Sequence, residues 1–394
     1  MENQTKSNLT EILLITALIF APYTALRFSF FGIAEIFFMA VWLMIYKDGI
    51  VIDRDPQCFV FTKALLGILI FSLIGWAWNI FIFQYNSGTT SSALFNLFSI
   101  IFVTVTIYAI EISEIKNTID YGRVLYYSFW GLSLGLNIFL ILYFFTSSIG
   151  PLSLATYYMF CPLADNIHQI AMISVQLPFI GGYFASKEKN IIKKLVIYAL
   201  SFGDIIASWM TYSTKAKMGI VIGIMIVLFY FIVFNKRFDR KSKVDFFVIS
   251  IGTLMCVSLL LLQKILSWAI AFFSSNDGGG ARKELYSSAI EIVKKSPFFG
   301  LGPSCHVIYD GRYFDAHETF LTVALMSGII GVLFLMVLYF KVFFKLIQSG
   351  WLLAAYSTIL IYALGGDILR RLPVWVLLIL MYLTIKKENE KIPE

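Results

Sequence analysis

The chain has 394 residues, of which 59% are hydrophobic and only 14% charged, and its mean hydropathy is +0.81. A soluble globule is nearer about 45–50% apolar and about 25% charged, and roughly half of its surface still faces water, so soluble enzymes, nucleic-acid binders and disordered chains are excluded. The net charge of +7 would suit a polyanion, but the cations fall in loops between apolar runs, as in a polytopic membrane protein.

Runs long enough to cross a hydrocarbon core of about 30 Å recur near 9–26, 28–46, 59–83, 91–110, 125–145, 168–186, 195–212, 219–234, 245–272, 317–340, 351–366 and 373–385. The fold class is therefore all-α with about twelve transmembrane helices, since lipid-facing backbone must satisfy its own hydrogen bonds and no period-two barrel pattern occurs. Residues 13–20 follow a single Lys6 and precede no small-residue cleavage site, so they read as the first span and not as a leader. Lys and Arg, sorted between alternating loops, favour the side of the termini by roughly two to one, which places both termini in the cytoplasm. Residues 1–394 read as one integral membrane domain without internal repeats.

One outward loop, 274–316 between spans nine and ten, is long where the others are short, and such loops are usually functional. It opens on Asn276-Asp-Gly-Gly-Gly280. An amphipathic helix is expected over 282–295, with Leu285, Ala289, Ile292 and Val293 on one face. Ser296-Pro297 ends it, and Phe298-Phe-Gly-Leu-Gly-Pro303 makes a tight apolar turn.

The outward face also carries the reactive side chains. His168, His306 and His317 all fall there, and His317 opens span ten, where an imidazole titrating near neutral pH can meet both water and a lipid headgroup. Glu318 beside it can orient the ring or complement the helix N-terminus. Lys215 and Lys217 in one short outer loop, Arg370 and Arg371 in another, and Arg282 and Arg312 in the long loop suit a pyrophosphate, because guanidinium groups make forked hydrogen bonds and ammonium groups supply point charge. The alternative for these cations is ordinary solvated or snorkelling charge. No His/Cys cluster has metal-ligand spacing, so no metal or other cofactor is expected. Cys161 and Cys305 share the outer side and could pair as a disulfide or stay as thiols.

The segments Arg282-Lys-Glu-Leu-Tyr-Ser-Ser-Ala-Ile, Lys295-Ser-Pro-Phe-Phe-Gly-Leu-Gly-Pro303, His317-Glu-Thr-Phe-Leu and Gly328-Ile-Ile-Gly331 together resemble the O-antigen ligase/polymerase superfamily of bacterial surface-polysaccharide enzymes. The resemblance lies in an Arg before an outer helix, a Pro-x-x-Gly-x-Gly turn, and a His spaced from a Gly-x-x-Gly. Ser213-Thr-Lys-Ala-Lys217 resembles the family's Ser-Arg element, with Lys for Arg. Glu318 stands where the ligases usually carry Asn, Ser or Gln, which leans toward the polymerases.

What the resemblance implies is a GT-C-type glycosyltransferase of the bacterial inner membrane with its site toward the periplasm. A Wzy-type polymerase would move a growing glycan from undecaprenyl pyrophosphate to the terminal sugar hydroxyl of a new lipid-linked repeat unit, with a chain-length regulator protein as a further implied partner. The catalytic candidates are His317 and Glu318; the pyrophosphate candidates are Arg282, Lys215, Lys217, Arg370, Arg371 and Arg312. A WaaL-type ligase would share the donor but deliver to lipid A core. A flippase would be expected to carry more ionisable residues at mid-membrane than Glu35 and Asp204.

Overall fold

The computed structural model describes residues 2–28, 31–47, 59–85, 90–150, 152–234, 279–303, 305–309 and 312–390. Their helices are α1 (Glu2–Phe20), α2 (Ile33–Tyr46), α3 (Val60–Trp78, continued by a π-turn at Asn79–Phe83), α4 (Thr90–Ile115), α5 (Tyr121–Tyr143), α6 (Ile167–Ser174), α7 (Leu177–Lys187), α8 (Ile191–Met210) and α9 (Thr214–Phe234). After the undescribed stretch come α10 (Gly279–Lys295), α11 (Thr319–Leu346), α12 (Gly350–Gly365) and α13 (Leu372–Glu390). Every expected span but the ninth is met by helix; 245–272 lies outside the described residues.

Among the described residues, five segments are long and apolar enough to cross a membrane: Val60–Phe83, Ser91–Ile115, Tyr121–Tyr143, Thr214–Val233 and Thr319–Leu346. This is an all-α membrane protein. The strands among the described residues form four short antiparallel hairpins in loops, β1–β2 (Arg27–Phe28, Phe31–Gly32), β3–β4 (Ser148–Ile149, Leu152–Ser153), β5–β6 (Ala155–Thr156, Met159–Phe160) and β7–β8 (Val307–Tyr309, Arg312–Phe314).

Two expected spans need correction. The second starts at Ile33, because residues 27–32 form the β1–β2 hairpin. The sixth is broken between α6 and α7, where Pro178 near the start of α7 has no amide to continue the ladder and its ring would crowd the Ser174 carbonyl.

Helix starts follow side-chain capping. Asp120 accepts from the Arg123 amide, Asn166 from His168, Asn190 from Ile192 and Lys193, and Glu318 from Leu321. The start of α3 is capped from another helix instead: the buried Glu111 carboxylate of α4 accepts the Phe61 and Thr62 amides at 2.9 and 3.0 Å.

At the centre stands α13, buried almost all round from Leu372 to Ile385, as an apolar-all-round helix must be. It packs on α4, α5, α11 and α12, while α11 lies along α3 and α9 along α12. Loops collect at two ends. At one, Arg123 pairs with Glu11, Lys187 with Glu388, and Lys387 reaches Asn117. At the other, the loops expected to face outward meet.

Candidate functional site

The site is built on a bent helix. Within α11, Gly328 takes φ 66° and ψ −166°, a conformation reserved to glycine, and the helix ladder breaks there. In an unbroken helix the Leu325 and Met326 carbonyls would serve the amides of residues 329 and 330. Here the Pro-x-x-Gly-x-Gly turn takes them over: Leu301 N–H donates to Leu325 O at 2.8 Å and Gly302 N–H to Met326 O at 3.0 Å, while Ile329 N–H donates to Pro297 O at 2.8 Å. Gly300 must be bare for this, since a Cβ would come within 2.5–2.7 Å of the 326–328 backbone. The two glycine motifs thus complete each other's hydrogen bonds.

From that dock the chain leaves as the β7–β8 hairpin. Val307 pairs with Phe314, so His306 and Asp315 stand together on the next rung. The face of α10 expected to be apolar seals this unit, with Leu285, Ala289 and Ile292 buried against Leu301, Cys305, Val307 and Leu325.

His306 Nε2 lies 2.6 Å from Ser92 Oγ at the start of α4, and Nδ1 lies 3.5 Å from an Asp315 oxygen. Arg370 then clips the site to α4 and α13: its guanidinium donates to Asp315 at 2.7 Å, to Asp367 at 3.1 Å and to the Asn96 amide oxygen. Asn96 in turn donates to Pro303 O at 2.8 Å. Thr319 pins the arginine loop, accepting from Ile368 N–H and donating to Gly366 O. The result is an open cleft with about 570 Å³ of solvent-reachable space, whose walls include Ser92, Asn96, His306, Asp315, His317 and Arg370.

His317 is solvent-exposed on this cleft and holds φ 55°, the left-handed region that a non-glycine residue rarely adopts outside a constrained site. Glu318 spends its carboxylate on the Leu321 amide as the cap of α11. Of the cations, Arg370 is in the cleft. Arg371 turns to a neighbouring cavity. Lys215 lies against the arginine loop, where a Cβ at Gly366 would meet its Nζ at 2.9 Å. Lys217 is held elsewhere, 5.1 and 5.0 Å from the ring centres of Trp209 and Tyr212 as a cation–π contact. Arg312 is exposed on β8 and does not line the cleft. Arg282 lies in α10, but its side chain is outside the described set.

Cys161 and Cys305 are both free and buried, the first in the main core and the second in the α10 cluster, so no disulfide joins them. Asp204, an expected mid-span acid, is tied to Ser133 and Asn137.

Burial, with Arg370 adding, outweighs the pull of Asp315 and lowers the His306 pKa below the ordinary imidazole value, so the ring is neutral at pH 7. For Asp315 burial raises the pKa, but the charge and hydrogen bond of Arg370, with His306 and His317 adding, prevail and hold the carboxyl below its usual range. A depressed carboxyl stabilises the fold above its unfolded pKa and loses that contribution as pH falls through the folded one. The melting temperature of the detergent-solubilised protein should therefore drop as pH falls below about 4, and Asp315→Asn should flatten that drop. An unchanged acid profile in the variant would take Asp315 out of the clip.

The sequence reading missed Ser92, Asn96, Thr319 and Asp367. Asp367 could have been found from its i, i+3 spacing to Arg370; Ser92 and Asn96 meet residues over 200 positions away and carry no local signal.

Residues 202–336 match the family model described as O-antigen ligase, an interval running from α8 through the glycine turn, His317 and the Gly328 bend. No curated protein matches the chain.

Proposed function

We propose that this chain, whose residues 202–336 match the family model described as O-antigen ligase, is a Wzy-type polymerase of the bacterial inner membrane with its cleft toward the periplasm. The observation that carries this reading is the convergence of His317, His306, Asp315 and Arg370 on one open cleft at the end where the expected outer loops meet. A lipid-linked glycan is the donor. The terminal sugar hydroxyl of a second lipid-linked repeat unit gives its proton to His317, its oxygen bonds to the anomeric carbon, and the carbon–oxygen bond to undecaprenyl pyrophosphate breaks.

The departing pyrophosphate gathers negative charge, which fixed cations stabilise best in a site poor in water. Arg282 and Lys215 receive it in this reading. Lys217, turned toward Trp209 and Tyr212, and Arg312, away from the cleft walls, serve at its margin. GT-C-type architecture, about twelve spans and cytoplasmic termini complete the proposal.

The decisive test is the lipopolysaccharide ladder of a deletion strain complemented with this chain. Loss of all bands above one repeat unit on core, restored by complementation, is the expected result. Polymer stranded on the lipid carrier would instead make the protein a ligase.

A further inference from the structure

Behind the arginine pair lies a second cavity, with about 110 Å³ of solvent-reachable space, between α1, α2, α6 and the start of α13. Arg370 lines both this cavity and the cleft, so its side chain stands between them. The two arginines are in opposite situations. Arg370 donates to Asn96, Asp315 and Asp367. Among the described residues, the Arg371 guanidinium has neither a hydrogen bond nor an ion pair, although burial holds its pKa below the ordinary value.

Glu35 lines the same cavity and likewise makes no ion pair among the described residues. An acid and a base thus face one small space without closing on each other. Gln169 accepts the Thr24 hydroxyl through Oε1, which leaves its NH2 as a donor to the cavity. The remaining wall is apolar, with Phe38 and Ile173 among its members. A guanidinium taken out of water costs free energy unless an anion meets it, and a carboxylate needs donors. A ligand with a phosphate for Arg371, hydroxyl or amide donors for Glu35 and an apolar flank satisfies all of them.

We infer that this cavity holds the sugar-phosphate end of the acceptor, the second lipid-linked saccharide. The inference rests on the polymerase reading, and geometry selects the acceptor over the donor. The donor's pyrophosphate is bonded to the reacting carbon and must lie beside His317. The acceptor reacts at its far terminal sugar, so its own pyrophosphate sits a repeat unit away from the base. The anion site that His317 does not line is the one that fits.

The test uses the full-length protein in liposomes, with a labelled long-chain donor and an unlabelled single-unit acceptor. Arg371→Gln and Glu35→Gln should each raise the acceptor KM by about tenfold or more, with kcat and donor KM close to wild type. Arg371→Lys should recover part of the loss, since it restores charge without the fork. Thermal stabilisation of the detergent-solubilised protein by a lipid-pyrophosphate-linked monosaccharide, and not by a phospholipid headgroup or inorganic pyrophosphate alone, should weaken in Arg371→Gln to the part that the donor site supplies, while its ligand-free melting temperature holds. A rise in donor KM instead, stabilisation by phospholipid alone, or unaltered acceptor KM and binding would overturn the assignment. If the wild type binds through Arg371 yet makes no polymer, the site stands and the polymerase reading falls.

Discussion

His317→Asn should abolish long polymer while the protein remains folded and abundant in the membrane. A sugar hydroxyl is a weak nucleophile at neutral pH, and a positioned base contributes about 10²–10⁴-fold. Asparagine is the informative replacement because the backbone here is left-handed, φ 55°. Asn tolerates that region better than most residues, so the bend before α11 survives while the proton acceptor is gone. Activity is to be read as polymer length on gels at matched protein level, with initial rates from a labelled donor. Retention of long polymer by His317→Asn would reduce His317 to a turn residue. In that event the neutral His306, 2.6 Å from Ser92 and backed by Asp315, is the next base to test by His306→Gln.

Gly328→Ala should have the largest effect on the fold itself. Its φ and ψ of 66° and −166° are disallowed to an L side chain, and a Cβ there would overlap the Phe298 carbonyl carbon and oxygen. Strain and overpacking together should cost about 2–6 kcal/mol, enough to take most of a typical margin of stability. The expected measurement is a sharp fall in folded protein by size-exclusion fluorescence, and a lower melting temperature of what remains. Gly331→Ala meets the Ser327 hydroxyl, which can turn away, and the Ser327 Cβ at 2.7 Å, but its backbone has no positive φ to forbid a side chain, so it should be milder. Equal tolerance of both substitutions would mean that the bend is not held by the turn 297–302.

Much of this molecule is legible in the residue order. Membrane residence, the helix positions and the apolar face of α10 follow from composition and from local apolar spacing, because lipid admits few other backbone solutions. The glycine turn, His317 and the Gly-x-x-Gly pair could likewise be picked out by type and spacing. Their physical relation could not, since the turn and the bend lie about thirty positions apart and are joined only by backbone hydrogen bonds. The cations show the same division. Lys215, Lys217, Arg370 and Arg371 look alike in a sequence, each a positive charge in a short loop. Packing alone made Arg370 a clip for Asn96, Asp315 and Asp367, laid Lys217 over aromatic rings and left Arg371 facing Glu35 across a cavity. A charge's role depends on which acceptors stand within about 3 Å of it, and those acceptors come from helices that only the fold brings together.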